Sequence, residues 1–514
     1  MRLSANIILI SLMAWCCAGY RILVVFPLAG GKSHSILGEG VVRHLLAAGH
    51  DVTYIAGVPS KLSAPTLREI DVSSNSRIFK PGELCDIDKV LSQGKEIVFD
   101  QNVYRWHLML ANHTAAHEDV QRLMLDPKEE FDLVIIDWIL SEILVGLSSV
   151  FNCPFIWLSS LEPHGRVLSL IDEWTDPTYV PGAHSRAIPP FTFAQRIREL
   201  FYIARLKYIR WQLMSEEQVL FERGVRRCGA MRGRQLPVLE DVKYNASLVL
   251  GNSHVAAGQA TKLPQSYIPI AGFHIQDIPL PADLQRIMDD AKNGVIYFSM
   301  GSLLRAKRMP ETLKQGLLAM LGSLRQTVIW KLEETPKNVP KNVHIVSFAP
   351  QQSILAHPNC ILFITHGGLL STNEALHFAV PILGVPVFGD QFQNVYRAVQ
   401  KGFAGHVRLS HELPRDLKLA IQEIIGNPKY REKAKQWSFI YHDRRAPGSE
   451  LVHWAEHVVR TRGAPHLRSL ALLVPWYQKM YLDLLGLVFV IVLLCVFVVR
   501  RLVSKKIDVN KKNK

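Results

Sequence analysis

A histidine and two glycines, His366-Gly367-Gly368, stand between a predicted strand and a predicted helix. Glycines at such a turn let a ligand come close to the backbone. The free N–H groups of the first helical turn, together with the positive end of the helix dipole, favour an anion there. Ser371 adds a hydroxyl in the same turn. These residues predict a site for a phosphate or diphosphate group.

Three more polar side chains follow at spacings that suit a larger ligand. Glu374, one turn after Ser371, can accept hydrogen bonds from two vicinal hydroxyls of a ribose. Asp390 and Gln391 open the next predicted helix at the same sheet edge and can bind sugar hydroxyls. The pattern therefore predicts a ligand with a diphosphate between a ribose and a second sugar.

His34 lies in a glycine-bearing loop after the first predicted strand, where ligands bind in doubly wound sheets. Imidazole can take up a proton near neutral pH, which makes His34 a candidate general base. Such a base needs an orienting carboxylate. Asp137 ends another predicted strand and is the first candidate, with Glu142 and Asp132 as alternatives. Asp137 as a mere helix N-cap also stays open.

Strand and helix patterns alternate in two stretches of the chain, which predicts two α/β domains with mainly parallel sheets. The predicted strands lie at 21–26, 51–55, 133–136, 155–158, 295–299, 327–330, 344–348, 361–364 and 381–385. The predicted helices lie at 35–48, 310–324, 369–378 and 391–401.

The stretch 348–394 resembles the signature of the UDP-glycosyltransferase family, and the resemblance extends over the whole chain. It is a resemblance to the membrane-bound animal type, and within it to insect-like UDP-glucosyltransferases. It implies the GT-B fold, an α/β architecture of two facing Rossmann-like domains plus one C-terminal transmembrane helix. It further implies the predicted domains 20–265 for the acceptor and 266–463 for the UDP-sugar.

The resemblance also implies roles for individual residues. His34 would be the catalytic base and Asp137 its partner. Phe348 would stack on uracil, although the family more often has Trp there. The implied donor-binding residues are Ser302, Phe348, Gln351, His366, Gly367, Gly368, Ser371, Glu374, Asp390 and Gln391. UDP-sugar would be a co-substrate, with neither a cofactor nor a metal required.

One sequence pattern would suit a bound metal ion. Asp86-Ile87-Asp88 has the spacing with which many other glycosyltransferases hold a divalent ion. It follows no strong apolar strand, so helix capping and surface charge explain it better. The helix N-terminus at Gly368 already supplies positive potential for a leaving diphosphate.

Both ends of the chain carry targeting patterns. Residues 1–19 have a signal-peptide layout, and 484–500 predict a transmembrane helix after a membrane-proximal segment at 464–483. The lysine- and arginine-rich tail 501–514 predicts a cytoplasmic end, which leaves both domains in the lumen. Lys511 and Lys512 look like a dilysine retrieval signal, or reflect the positive-inside bias alone. We therefore expect a single-pass type I protein of the endoplasmic reticulum membrane.

Charge and composition argue against some classes of function. The net charge of +14 comes partly from the tail and the other basic residues are scattered, which argues against nucleic-acid binding. The segment 194–214 is basic and aromatic, typical of a membrane-surface helix and equally of an ordinary surface helix. Asn112 and Asn245 begin glycosylation acceptor sequences. The ectodomain cysteines, whose pairing and any self-association stay open, are Cys85, Cys153, Cys228 and Cys360.

The combined prediction is inverting transfer of a hexose from a UDP-sugar to a hydroxyl of a small lipophilic acceptor, giving a β-glycoside. Glucose is the expected sugar, because Gly251 stands where glucuronate-using relatives commonly have an Arg. Glucuronosyl transfer, a non-catalytic carrier of lipophilic molecules, and transfer to lipid-linked or protein substrates are the alternatives.

Overall fold

The computed structural model describes residues 19–78, 91, 101–183, 185–301 and 309–512, of which 505–512 are described for the main chain alone. Apart from Gly19, the predicted signal peptide lies outside these residues. The other predicted features outside them are Cys85, the Asp86 to Asp88 pattern and Ser302.

The strands and helices have the following bounds. Strands β1 to β13 are Arg21–Phe26, Asp51–Ala56, Leu67–Asp71, Leu133–Asp137, Phe155–Ser159, Leu248–Gly251, Tyr267–Pro269, Val295–Ser299, Thr327–Lys331, Val343–Val346, Cys360–Thr365, Ile382–Gly384 and Ala404–His406. Helices α1 to α9 are Lys32–Ala47, Gln101–Ala115, Glu118–Leu125, Gly146–Phe151, Gly165–Leu168, Phe193–Phe221, Arg227–Met231, Leu239–Val242 and Ala282–Asp289. Helices α10 to α18 are Glu311–Gly322, Gln351–Ala356, Leu369–His377, Gln391–Gln400, Leu413–Gly426, Lys429–His442, Pro447–Arg460, Trp476–Lys479 and Leu482–Lys512.

The first sheet has seven strands among the described residues, in the order β3-β2-β1-β4-β5-β6-β7. All its neighbouring strands are parallel. The strand order reverses between β1 and β4, so the loops that follow these two strands diverge and leave a crevice at their carboxyl ends. The residues placed at this crevice are those directly after Phe26 and at Asp137.

The second sheet repeats this plan with six described strands in the order β10-β9-β8-β11-β12-β13, again all parallel. Its order reverses between β8 and β11, which puts the His366 turn at the second crevice. The predicted fold of two Rossmann-like parallel sheets is confirmed.

Burial explains why these segments are strands. All five residues of β4 and all five of β8 are buried, as expected where helices cover both faces of a parallel sheet.

Two elements cross the predicted domain boundaries: β7 pairs with β6 in the first sheet, and Leu451 and Val458 of α16 pack in the core of that sheet. The boundaries themselves stay predictions.

The carboxyl edges of the two sheets face each other. Lys32 Nζ, at the start of α1, lies 4.9 Å from the ring centroid of Phe348, which follows β10. The side-chain amide of Gln393 in α13 donates to the carbonyl oxygen of Ala187 at 3.1 Å. Arg186 lies 3.8 Å above the ring of Phe392. The segment before α6 therefore ties the first half of the chain to the second.

Helix α6 contains the basic and aromatic segment 194–214. It starts with a capping box in which Thr192 and Gln195 exchange side-chain to backbone hydrogen bonds. Its outer face carries large exposed apolar residues, among them Phe201 and Trp211. Both interpretations made from the sequence are compatible with this exposure.

Residues 468–514 form a separate compact unit. Within it, Leu482–Ser504 contains an 18-residue window with a mean hydropathy of 3.2 and is long and apolar enough to cross a membrane by length and composition. The helix begins two residues before the predicted span at 484–500 and continues to Lys512.

Candidate active site

The two predicted catalytic residues are in direct contact. His34 lies in the first turn of α1, and Asp137 is the fully buried last residue of β4, the strand beside β1. His34 Nδ1 and Asp137 Oδ2 are 2.5 Å apart. Because a carboxylate only accepts hydrogen bonds, Nδ1 carries the proton, and Nε2 is left to take one from another molecule.

The surroundings of His34 strengthen it as a base. Burial on its own would lower the pKa of His34, but the charge and hydrogen bond of Asp137 outweigh it and the pKa is raised. A smaller contribution to this rise comes from the charge of Asp390, on the second sheet. The structure thus brings the predicted base close to a predicted sugar-binding residue.

The alternative partners of His34 are engaged elsewhere. Asp132 accepts a hydrogen bond from the backbone N–H of Arg21, at the start of β1 and so at the opposite sheet edge. Glu142 accepts hydrogen bonds from the Trp138 indole and from Arg210. Among the three carboxylates considered from the sequence, only Asp137 is hydrogen-bonded to His34.

The His366 turn has the shape expected of an anion site. Gly367 adopts a left-handed φ of +80°, and no side chain caps α12 in the described structure. Gly368 packs on the His366 ring so closely that a Cβ there would lie 2.6 Å from Nε2. The first N–H groups of α12 are therefore open to a ligand beside the imidazole.

His366 acts there as a neutral group. Burial, followed by the charge of Lys331, lowers its pKa to about 4. It can therefore offer a phosphate a hydrogen bond but no charge at neutral pH. Lys331 ends β9 and donates a hydrogen bond from Nζ to the carbonyl oxygen of Gly301 at 2.8 Å. Lys331 is not among the residues predicted from the sequence, although its place at a strand's carboxyl end was a usable signal.

The predicted ribose and uridine contacts form one network. The Gln351 amide donates to Ser371 Oγ at 3.1 Å and to Glu374 Oε2 at 2.5 Å. Gln352 Nε2 donates to the other carboxylate oxygen of Glu374 at 2.8 Å. Ribose hydroxyls would replace these amides on Glu374. Gln352 is a second residue that was not predicted. Nothing in the sequence distinguishes it from its neighbour Gln351.

The predicted sugar contacts are only partly free. The Asp390 carboxylate accepts a hydrogen bond from Asn394 at 2.8 Å, and burial raises its pKa. The side-chain oxygen of Gln391 accepts hydrogen bonds from the backbone N–H groups of Val387 and Phe388. Of the Gln391 side chain, only the NH₂ group is therefore left for a sugar hydroxyl, whereas the Asp390 carboxylate can still accept one.

Phe348 offers a flat surface for a base. Its side chain is 62% exposed, and Lys61 Nζ lies 5.8 Å from its ring centroid. Together with Lys32 it gives the ring two cationic neighbours. This arrangement suits stacking of an aromatic base next to a negatively charged diphosphate.

The glycosylation acceptors differ in setting. Asn245 is exposed in the loop before β6. Asn112 lies within α2, and the hydroxyl of Thr114 in the same acceptor sequence is buried and donates to the Leu110 carbonyl oxygen at 2.8 Å. Cys153, Cys228 and Cys360 are free thiols.

Solved structures share this arrangement of two sheets. The spinosyn forosaminyltransferase SpnP matches with a TM-score of 0.56 at 14% identity, covering 86% of this chain and 99% of SpnP. CalG4, the calicheamicin glycosyltransferase, matches with a TM-score of 0.52 at 14% identity and the same coverage. The fold is therefore that of the GT-B glycosyltransferases.

Sequence comparison defines the family. The family model described as "UDP-glucoronosyl and UDP-glucosyl transferase" matches residues 22–514. UDP-glycosyltransferase UGT5 of Dactylopius coccus is 32% identical over 92% of this chain and 90% of its own length. UDP-glucuronosyltransferase 2A2 of Homo sapiens is 29% identical over 72% of this chain and 68% of its own. The chain belongs to the UDP-glycosyltransferase family, enzymes that use a UDP-sugar donor and an acceptor.

Proposed function

We propose that the protein transfers glucose from UDP-glucose to a hydroxyl of a small lipophilic acceptor, with inversion. The observation that carries this proposal is the 2.5 Å contact between His34 and Asp137 at the crevice of the first sheet. A non-catalytic carrier would have no use for a base whose pKa is raised by a buried carboxylate. The proximity of Asp390 supports a sugar beside that base.

The chemistry would be a single displacement. His34 Nε2 removes the proton from the acceptor hydroxyl, and Asp137 stabilises the imidazolium that forms. The acceptor oxygen bonds to C1 of the sugar as the bond from C1 to the phosphate oxygen breaks. UDP leaves toward the N–H groups at the start of α12, with Ser371 and His366 as hydrogen-bond donors. One displacement converts an α-linked donor into a β-glycoside.

Gly251 supports glucose rather than a carboxylated sugar. A Cβ at this position would lie 2.0 Å from the hydroxyl of Tyr267, which is itself hydrogen-bonded to Ser253. No arginine side chain fits there without moving Tyr267. Burial lowers the pKa of His254 to about 4, so this residue supplies no positive charge near neutral pH.

UDP-glucuronate is the second candidate, and Arg397 favours it. This arginine lies on α13, the helix that begins at Gln391, and its Nε has no hydrogen-bond partner among the described residues. Glu162 and Asp390 are its electrostatic partners. The carboxylate of a glucuronate donor would have to compete with Glu162 and Asp390 for Arg397.

We further propose that the helix at Leu482–Ser504 anchors the protein in the endoplasmic reticulum membrane with both sheets in the lumen. The support is its apolar length and the basic residues that follow it. This topology would place the site where lipophilic acceptors partition from the membrane.

The donor is tested by competition. Microsomes that contain the full chain are given equal concentrations of UDP-glucose and UDP-glucuronate with a panel of phenols, steroids and fatty alcohols. We expect glucosides to predominate. Predominant glucuronide would overturn the choice of sugar, and Arg397→Gln would then be expected to abolish it. Absence of any glycoside from every donor would contradict the proposed activity.

A further inference from the structure

Arg166 is a buried arginine with unused hydrogen-bonding capacity. It lies in α5, after β5, and its side chain is 4% exposed. Nε and Nη1 have no hydrogen-bond partner within the part of the chain that the structure describes. Since a guanidinium has five N–H donors and no acceptor, these atoms can be satisfied only by an oxygen or nitrogen from elsewhere. Leaving them unpaired is costly.

Within the described residues, the carboxylate paired with Arg166 is that of Glu142, and it does not fill this need. Glu142 Oε1 is 3.7 Å from Arg166 Nη2, beyond hydrogen-bond length. Both Glu142 oxygens are already hydrogen-bonded, one to Trp138 Nε1 at 3.2 Å and the other to Arg210 Nη2 at 2.8 Å. Burial, followed by the charge of Glu142, raises the pKa of the neighbouring Glu217.

Two aromatic rings flank the guanidinium. Its Cζ lies 4.6 Å from the ring centroid of Tyr104 and 5.1 Å from that of Trp138. Both rings are almost fully buried. Arg166 therefore lies between two aromatic rings, with the Glu142 carboxylate on one side at Nη2 and unpaired donors at Nε and Nη1. Such a combination can recognise a planar anion joined to a lipophilic body.

The fold places this group beside the proposed base. β1, β4 and β5 are neighbours in the first sheet, and His34, Asp137 and Arg166 follow or end these three strands on the same edge. His107 on α2 connects them electrostatically, because the charges of His34 and Arg166 both act on its imidazole. Burial lowers the pKa of His107 to about 4, so a neutral imidazole stands within electrostatic reach of both.

From this geometry we infer that Arg166 binds the carboxylate of the acceptor, which makes lipophilic hydroxy acids the preferred acceptor class. The inference rests on the proposed function, since it names the acceptor of that same site. The hydroxyl of such an acid lies at His34 and its carboxylate on Arg166 Nε and Nη1, with the apolar body spanning the interval between these two groups.

The test uses the full chain in microsomes with two acceptor pairs, a hydroxynaphthoate and a hydroxyphenylpropanoate, each beside its methyl ester. The wild-type protein is expected to have a lower KM for at least one acid than for its ester. Arg166→Gln is expected to raise the KM of that acid about 10-fold or more, because the charge-assisted pairing is lost. The KM values of the ester and of the UDP-sugar stay unchanged.

Arg210→Gln is the matched control, since it removes the other arginine on Glu142. It is expected to lower thermal stability and to affect acid and ester alike. If Arg166→Gln raises both KM values equally, Arg166 is structural and the inference fails. If that variant does not fold, the wild-type comparison decides, and a lower KM for both esters contradicts the inference. If neither acids nor esters receive sugar, the proposed function fails. In that case binding at Arg166 can still be detected, because the acid would stabilise the protein against thermal unfolding and the ester would not.

Discussion

At the scale of single residues, the pairing of His34 with Asp137 determines how the proposed base behaves with pH. A base must be unprotonated to act, so the rate falls as the pH drops through the pKa of His34. Because Asp137 raises that pKa, the acid limb of kcat/KM should have its midpoint above the ordinary value of 6.5. Asp137→Asn removes the two larger raising interactions and leaves the burial that lowers the pKa, together with the smaller raising effect of Asp390.

The expected result for Asp137→Asn is therefore an acid limb displaced to lower pH together with a lower plateau rate. The measurement is kcat/KM for one phenolic acceptor at saturating donor over a pH series. Asp390→Asn is the comparison, with a smaller displacement because Asp390 contributes least to the rise. An unmoved acid limb in Asp137→Asn would show that another group titrates.

The sequence predicted that His34 and Asp137 belong together, and the structure puts them in contact. The sequence could not show which residues hold the proposed donor site in shape. Gln352 became visible only in the folded structure, where its amide meets Glu374, whereas Lys331 directly follows a predicted strand and could have been considered. Gln391 shows the opposite case: the sequence indicates its position at a helix start, whereas the structure uses its oxygen to hold the preceding loop. Which hydrogen bonds a side chain forms depends on its neighbours in the fold, and a single sequence does not specify them.

At the scale of elements, the turn between β11 and α12 depends on close packing. Gly368→Ala would put a Cβ 2.6 Å from His366 Nε2, so the imidazole or the helix start must shift. We expect UDP affinity to fall about 10-fold or more, measured by calorimetry or by inhibition of transfer. Gly426→Ala, at the end of α14, is the control because nothing lies within 4 Å of its added Cβ. Equal UDP affinity in both variants would remove His366 from the donor site.

Long apolar strands were predicted within two residues at each end, because burial on both faces demands a continuous apolar run. β3 was missed: it is an edge strand whose five residues are mostly partly buried or exposed. β13 was missed because its three residues, Ala404 to His406, include a glycine and a histidine and form no apolar run. The packing of α16 on the first sheet could not be predicted either. An amphipathic pattern identifies the buried face of a helix but not the partner that covers it.

At the scale of the whole molecule, the proposed topology makes a simple prediction. Protease added to sealed microsomes should remove only residues beyond the apolar helix, because the bilayer shields everything on the luminal side. The measurement is a mass shift on immunoblots with one tag before Arg468 and another after Lys514. Detergent is the control, since it should expose the whole chain. Digestion of the main body without detergent would place the two sheets in the cytoplasm.

The most direct test of the central claim is the transfer rate of His34→Ala beside the wild-type protein, with UDP-glucose and one accepted phenol. General base catalysis is worth about 100-fold or more, so the rate should fall by at least that factor. UDP binding, which we propose takes place at the second sheet, should remain nearly unchanged. Glucoside formation by His34→Ala at close to the wild-type rate would contradict the assignment of His34 as the base.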